Sequence, residues 1–156
     1  MRVGFRVNRP GRLGRGAYFW RLDVYGKELA ICWFRFWRGK GNYSGDRAVR
    51  GVIVTAQLSC SEDEYLDLDM DELRDEIGRE LRRWPRHPQS SAAIGEFYDF
   101  YISKLEEQAG AKFVIIAGKV PLPKGHQYPV ALGLPRCYCA RTSSSISDLR
   151  LEEIVE

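Results

Sequence analysis

Met70, Leu73, Ile77, Leu81 and Trp84 recur at helical spacing with charged residues between them. That pattern predicts an amphipathic helix over Met70–Trp84. Asp69 and Glu72 stand where a cap and its reciprocal partner would sit, and Pro85 ends the run. Asp75–Arg79 and Glu76–Arg83 fall near the spacings that pair charges along a helix. A second helix is predicted over Ile94–Gln108, with Phe97, Tyr101 and Leu105 on one face and Gly110 as its C-terminal cap. A shorter one over Lys27–Trp37 gathers Leu29, Trp33 and Phe36 or Trp37, with Asp23 as the capping residue. Its aromatic stripe suits a core, or a ring-stacking role for Trp33.

Alternation predicts the strands. Val52, Val54, Ala56 and Leu58 alternate with Ile53, Thr55, Gln57 and Ser59, which gives a strand over Val52–Cys60. Arg2–Val7 and Arg136–Arg141 alternate in the same way, and an aromatic-led strand is expected over Ala17–Leu22. The apolar, β-rich run Lys112–Val120 reads as a central strand. Short extended segments are expected at Tyr65–Leu68 and Val130–Leu134, and Ile146–Val155 is a strand or short helix. Arg38–Gly51 and Pro121–Pro129 are loops, and Asn8–Gly11 and Thr142–Ser145 are turns. Helices and strands interleave without a repeat, so the expectation is one α+β domain over residues 1–156.

Composition sharpens this only in places. At 156 residues the chain is long enough to bury a core, and 44% hydrophobic with 29% charged residues is the balance of a soluble globular protein. No apolar run is long enough for a bilayer, and no apolar signal region follows Met1-Arg2, so a cytoplasmic protein without a membrane partner is expected. The net charge is only +3, but the basic residues crowd the first third, where Asp23, Glu28 and Asp46 are the acids. A basic region of this kind suits a phosphate-bearing ligand or is simply solvated. Cys32, Cys60, Cys137 and Cys139 read as reduced small hydrophobes, and Cys137-x-Cys139 is not a zinc spacing, so no metal is expected. The carboxylates Asp71, Glu72, Asp75 and Glu76 read as a solvated helix face.

Candidate chemistry concentrates in Gly11–Trp20, GRLGRGAYFW. Glycines alternate with Arg12 and Arg15 and lead into Tyr18-Phe19-Trp20. Glycine lets a backbone approach a ligand closely. The stretch therefore suits an anionic ligand with a planar ring, such as a dinucleotide, or a basic turn entering a core strand. No Lys-Ser/Thr follows, so it is not a P-loop, and no convincing strand precedes it as in a Rossmann fingerprint.

The same stretch resembles ADP-ribosyltransferases of the poly(ADP-ribose) polymerase type, where a glycine-rich loop runs into a Gly-x-Tyr-Phe strand and a helix with small residues, here with Ala30. Gly4-Phe5-Arg6, Val52–Leu68 with its Leu66-Asp67-Leu68 ending, and Cys139-Ala140-Arg141 with Ser145-Ile146 extend the resemblance. It implies two packed, mostly antiparallel sheets with a few helices, and NAD or an ADP-ribose-type ligand as substrate. It matches Tyr18 to the tyrosine that stacks on nicotinamide and Gly16 to the glycine lining that pocket. Arg6 and Arg12 would meet phosphates, on the basis of their charge. The family's His-bearing strand has no counterpart before Gly4, and neither His87 nor His126 falls at its place. The late acid or amide falls on Arg136 or Cys137. Transfer of ADP-ribose would then need a non-standard site.

Two other readings use different residues. Cys137 or Cys139 with His126 would be a nucleophile and base. Arg6, Arg15, Tyr18, Trp20, Arg35, Trp37, Arg38 and Tyr43 interleave cations with rings, which suits a non-catalytic binder of single-stranded nucleic acid or of a protein partner.

Overall fold

The computed structural model describes residues 10–155 apart from 24, 42, 44–47 and 86–87. The strand expected over Arg2–Val7 lies outside the described residues, as do Arg6 and His87. The elements run β1 (Ala17–Trp20), α1 (Gly26–Gly39), β2 (Gly51–Leu58), β3 (Tyr65–Asp67), α2 (Asp71–Arg83), α3 (Ser91–Ala109), β4 (Ile115–Lys119), β5 (Arg136–Ala140) and β6 (Ile146–Val155), with short 3₁₀ turns between some of them. The architecture is α+β, with a four-stranded sheet in the order β1-β5-β4-β3 and a two-stranded ribbon of β2 and β6. All pairs are antiparallel except β3 with β4.

The parallel pair is joined through α2 and α3, which cover one face of the larger sheet. Residues alternate across a strand, so β5 sends Cys137 and Cys139 to that face. There they meet Phe97, Tyr101 and Ile102 of α3, Ile77 of α2 and Ile116 of β4 in the main core. Opposite them in register stand Trp20 and Tyr18 of β1, packed against the same core. Phe19 and Tyr138 pair on the other face. β4 is central and nearly wholly buried, as its apolar run predicts.

A buried carboxylate ties the end of α3 to the sheet. Glu106 accepts from the Phe113 N–H at 2.9 Å and pairs with Arg141 at 2.6 Å and Lys112 at 3.0 Å. Burial alone would raise its pKa, but Lys112, the Phe113 amide and Arg141 together hold it below the usual glutamate value.

Four expectations change. Asp23 is not the N-cap of α1: Tyr25 occupies that position, without a side-chain cap. Asp69 does not cap α2: Met70 occupies that position, without a side-chain cap. The reciprocal capping box forms instead at Ser61 and Glu64. Val130–Leu134 is not a strand, because Pro129 and Gly133 frame a 3₁₀ turn at Val130–Leu132 that leaves Val130 exposed. The ion pairs of α2 run from Glu80 to Arg83 and Lys104, each at 3.1 Å, because Lys104 arrives from α3. Ile146–Val155 is a strand. Gly110 ends α3 in the left-handed conformation, as expected, and Ser90 caps its start by accepting from the Ala93 N–H.

Candidate functional site

The glycine-rich loop is folded in on itself. Gly11 and Gly14 exchange both backbone hydrogen bonds, each 3.0 Å, around Arg12-Leu13. Leu13 is driven into the core. Tyr18 turns back beneath the loop, where its hydroxyl accepts from the Leu13 N–H at 2.8 Å and donates to the Gly14 carbonyl at 2.7 Å. Asp99 of α3 holds the far side, accepting from the Arg15 N–H at 2.8 Å and pairing with Arg15 Nε at 3.2 Å. Gly14 has φ +85°, and a Cβ on Gly16 would stand 2.5 Å from Cys139 Sγ and 2.6 Å from the Ala140 carbonyl. The loop's backbone is thus packed on β5 and α3. Burial, with Cys139 close by, pushes the Tyr18 phenol well above its usual pKa, so its proton stays on to donate.

A cleft of about 430 Å³ opens where β1 and the start of α1 meet the ribbon of β2 and β6. Among the described residues β1 is an edge strand, so alternate peptide groups along it point away from β5. Phe19 and Tyr138, which share one face of the sheet, give the cleft aromatic walls, and Tyr18 and Trp20 border it from β1 with their rings packed on the core. Arg21, Lys27, Thr55 and Glu152 supply its polar groups. Thr55 Oγ1 donates to Glu152 Oε1 at 3.0 Å, which fixes the carboxylate across the ribbon. Asp23 Oδ1 accepts from the Tyr25 and Gly26 N–H groups at 2.9 and 3.0 Å and sets the start of α1 against β1. Rings of this kind can stack on a planar group, cations can meet phosphate, and a carboxylate can bind hydroxyls or offset a developing positive charge.

The residues singled out from sequence do not all converge. Of the described residues expected to hold the dinucleotide, Arg12, Gly16, Tyr18 and Trp33, Tyr18 alone lines this cleft. Gly16 sits behind it on β5. Arg12 opens on a separate cleft on the helix side of the sheet. Trp33 belongs to a cluster within α1, stacked on Trp37 at 6.1 Å and edge-on to Phe36 at 5.5 Å, with its indole nitrogen buried and without a partner among the described residues. Arg136 bonds the Tyr65 hydroxyl and Asp67, and Cys137 is buried, donating to the Phe19 carbonyl at 3.3 Å. Neither position offers a carboxylate. Glu152, which the sequence reading passed over, does; its available signal was an acid on an alternating strand.

Cys137 and Cys139 do not pair with His126. Both thiols are fully buried, and burial raises both pKa values, Cys139 to about 12, so neither is a thiolate nucleophile. His126 lines another cleft, of about 480 Å³, with Cys32 of α1, and its Nδ1 accepts from the Tyr128 N–H at 3.2 Å. Arg35, Trp37 and Arg38 lie on α1 and Tyr43 follows it; Arg38 sits over the Phe34 ring at 5.2 Å, Tyr43 packs on that ring at 5.5 Å, and Arg35 lines the His126 cleft. Among the described residues no His, Cys, Asp and Glu group is placed to hold a metal ion, and no helix is long and apolar enough to cross a membrane. No family model, no curated protein and no solved structure matches this chain.

Proposed function

We propose that the cleft between β1, α1 and the β2–β6 ribbon binds NAD or a related ADP-ribose-type ligand, on an ADP-ribosyltransferase-like scaffold. The observation that carries this reading is the combination of aromatic walls, basic groups and one carboxylate in a single cleft beside the Tyr18 strand. A planar ring stacks on the walls formed by Phe19 and Tyr138 on one face of the sheet. Arg21 and Lys27 face the pyrophosphate. Glu152 accepts from ribose hydroxyls. If nicotinamide departs, the same carboxylate offsets the positive charge that develops on the ribose. Arg12 and Trp33 have no part in this arrangement, and Tyr18, its ring packed on the core and its hydroxyl bonded within the glycine loop, holds the β1 edge rather than stacking on the ligand.

Calorimetric titration of the purified chain with NAD, with mass spectrometry for nicotinamide, tests it. Binding that weakens in Tyr138→Ala supports the cleft, and nicotinamide release that stops in Glu152→Gln makes the protein an enzyme. Absence of binding by the folded chain at millimolar NAD overturns the reading. The second reading, a nucleic-acid binder, rests on Trp37 and Tyr43, which are 40% and 37% exposed, with Arg38 over the same Phe34 ring that Tyr43 packs against. It requires an affinity for single-stranded oligonucleotides that falls steeply with salt and with Trp37→Ala.

A further inference from the structure

A cleft of about 290 Å³ opens on the helix side of the sheet, where the parallel strands β3 and β4 end. The carboxyl ends of parallel strands are where crossover units receive ligands. This cleft shares no lining residue with the one at β1. Gly95 leaves room for the Gly11 carbonyl, so the glycine loop lies directly on α3 and carries Arg12 to the cleft; Tyr98 follows one helical turn after Gly95. The turn after β3 brings Asp69. Lys119 closes β4 with its side chain in the row of Ala117, opposite Arg136 and on the far face of the sheet. The charges of the cleft are therefore one guanidinium and one carboxylate, above a floor that includes Leu68, Leu81 and Phe97.

The two charges share the cleft without meeting. Among the described residues neither Arg12 nor Asp69 makes an ion pair. Asp69 is relieved of capping α2, and its Oδ2 is buried without a hydrogen-bond partner among the described residues. An enclosed carboxylate oxygen with no donor is costly, and a donor brought by a ligand removes that cost. Burial and the nearby Asp69 raise the Tyr98 phenol above its usual pKa, while Arg12 and Arg74 pull it back. The Arg12 guanidinium and the Asp69 carboxylate thus both lie near this hydroxyl, which keeps its proton to donate. Opposite charges held apart suit a ligand that carries both in the reverse sense, and a neutral pair favours neither an anion nor a cation alone. The volume, at the small end of ligand pockets, suits one small molecule with an apolar body. We propose that this cleft binds a free α-amino acid with an apolar side chain. Its carboxylate meets Arg12 and the Tyr98 hydroxyl, its ammonium donates to Asp69 Oδ2, and its side chain lies on Leu68, Leu81 and Phe97.

The test is calorimetry on the full chain with leucine, phenylalanine, glycine, isocaproate and isoamylamine. Leucine or phenylalanine is expected to bind saturably, and glycine, without the apolar side chain, to give no heat. Isocaproate lacks the ammonium of leucine and isoamylamine lacks its carboxylate, and each binds about tenfold more weakly than leucine. Arg12→Gln and Asp69→Asn each weaken leucine by about tenfold, in different ways. In Arg12→Gln the advantage of leucine over isoamylamine disappears. In Asp69→Asn its advantage over isocaproate disappears. Arg82→Gln, an exposed charge on α2, leaves affinity unchanged. Circular dichroism of each variant separates lost binding from lost fold. The proposal is overturned if folded wild-type chain gives no heat with millimolar leucine or phenylalanine. It is equally overturned if isocaproate or isoamylamine binds as tightly as leucine, if affinity survives in both Arg12→Gln and Asp69→Asn, or if it falls as much in Arg82→Gln.

Discussion

Tyr18→Phe removes one oxygen from the centre of the glycine loop. That oxygen accepts from the Leu13 N–H at 2.8 Å and donates to the Gly14 carbonyl at 2.7 Å. The ring stays, packed against Cys139 and the core. Each neutral hydrogen bond contributes about 1 kcal/mol net, and both partners are left partly buried, so the loss is about 2 kcal/mol. For a chain of 156 residues this lowers the melting temperature by about 4–8 °C. Urea denaturation should show a lower midpoint at an unchanged slope. Tyr18→Ala costs more, about 3–5 kcal/mol, since it also empties ring volume beside the core. The alanine variant therefore confounds fold with binding, whereas Tyr18→Phe separates them: stability falls while NAD affinity, which rests on Phe19 and Tyr138 across the sheet, holds. An unchanged midpoint in Tyr18→Phe would refute the loop lock, and a wholly lost NAD affinity in a folded Tyr18→Phe would refute the separation of that lock from the ligand cleft.

Glu106→Gln should destabilise by about 2–3 kcal/mol, because Arg141 and Lys112 lose their buried counter-charge, as denaturation at neutral pH will show. The folded carboxylate has a depressed pKa, so its contribution is complete above the ordinary glutamate value of about 4.5 and is lost as pH falls through the folded value; the gap between wild type and Glu106→Gln should close over that range. Iodoacetamide on the native chain should label Cys32 and Cys60 and reach Cys137 and Cys139 only on unfolding, read by peptide mass spectrometry. Glu152→Gln should leave the melting temperature within about 1–2 °C, since the residue is exposed, while removing any nicotinamide release.

Much of the fold could be read from local pattern. α2 and α3 declare themselves because single apolar stripes bury against one sheet face, and β4 because both its faces are covered. The pairing of β2 with β6 could not be read, because it joins distant segments and shifts register between Ile53 and Val54 and again between Thr55 and Gln57. Those shifts help place Glu152 beside Thr55, and no spacing in the sequence encodes them. Tyr18-Phe19-Trp20 looked like one wall, but a strand sends neighbours to opposite faces, and only the packing of α3 decides which face is core. The glycines looked like a ligand loop because close approach to a ligand and close approach to Cys139 demand the same residue. Asp69 looked like a cap because its place in the chain fits one, although the backbone gives that position to Met70.

The most direct measurement is the titration of the purified wild-type chain and of Tyr138→Ala with NAD. Saturable binding by the wild type that is lost or strongly weakened in a folded Tyr138→Ala is the predicted result. No heat from the folded wild type at millimolar NAD, or equal affinity in both proteins, would contradict the assignment of the cleft beside β1.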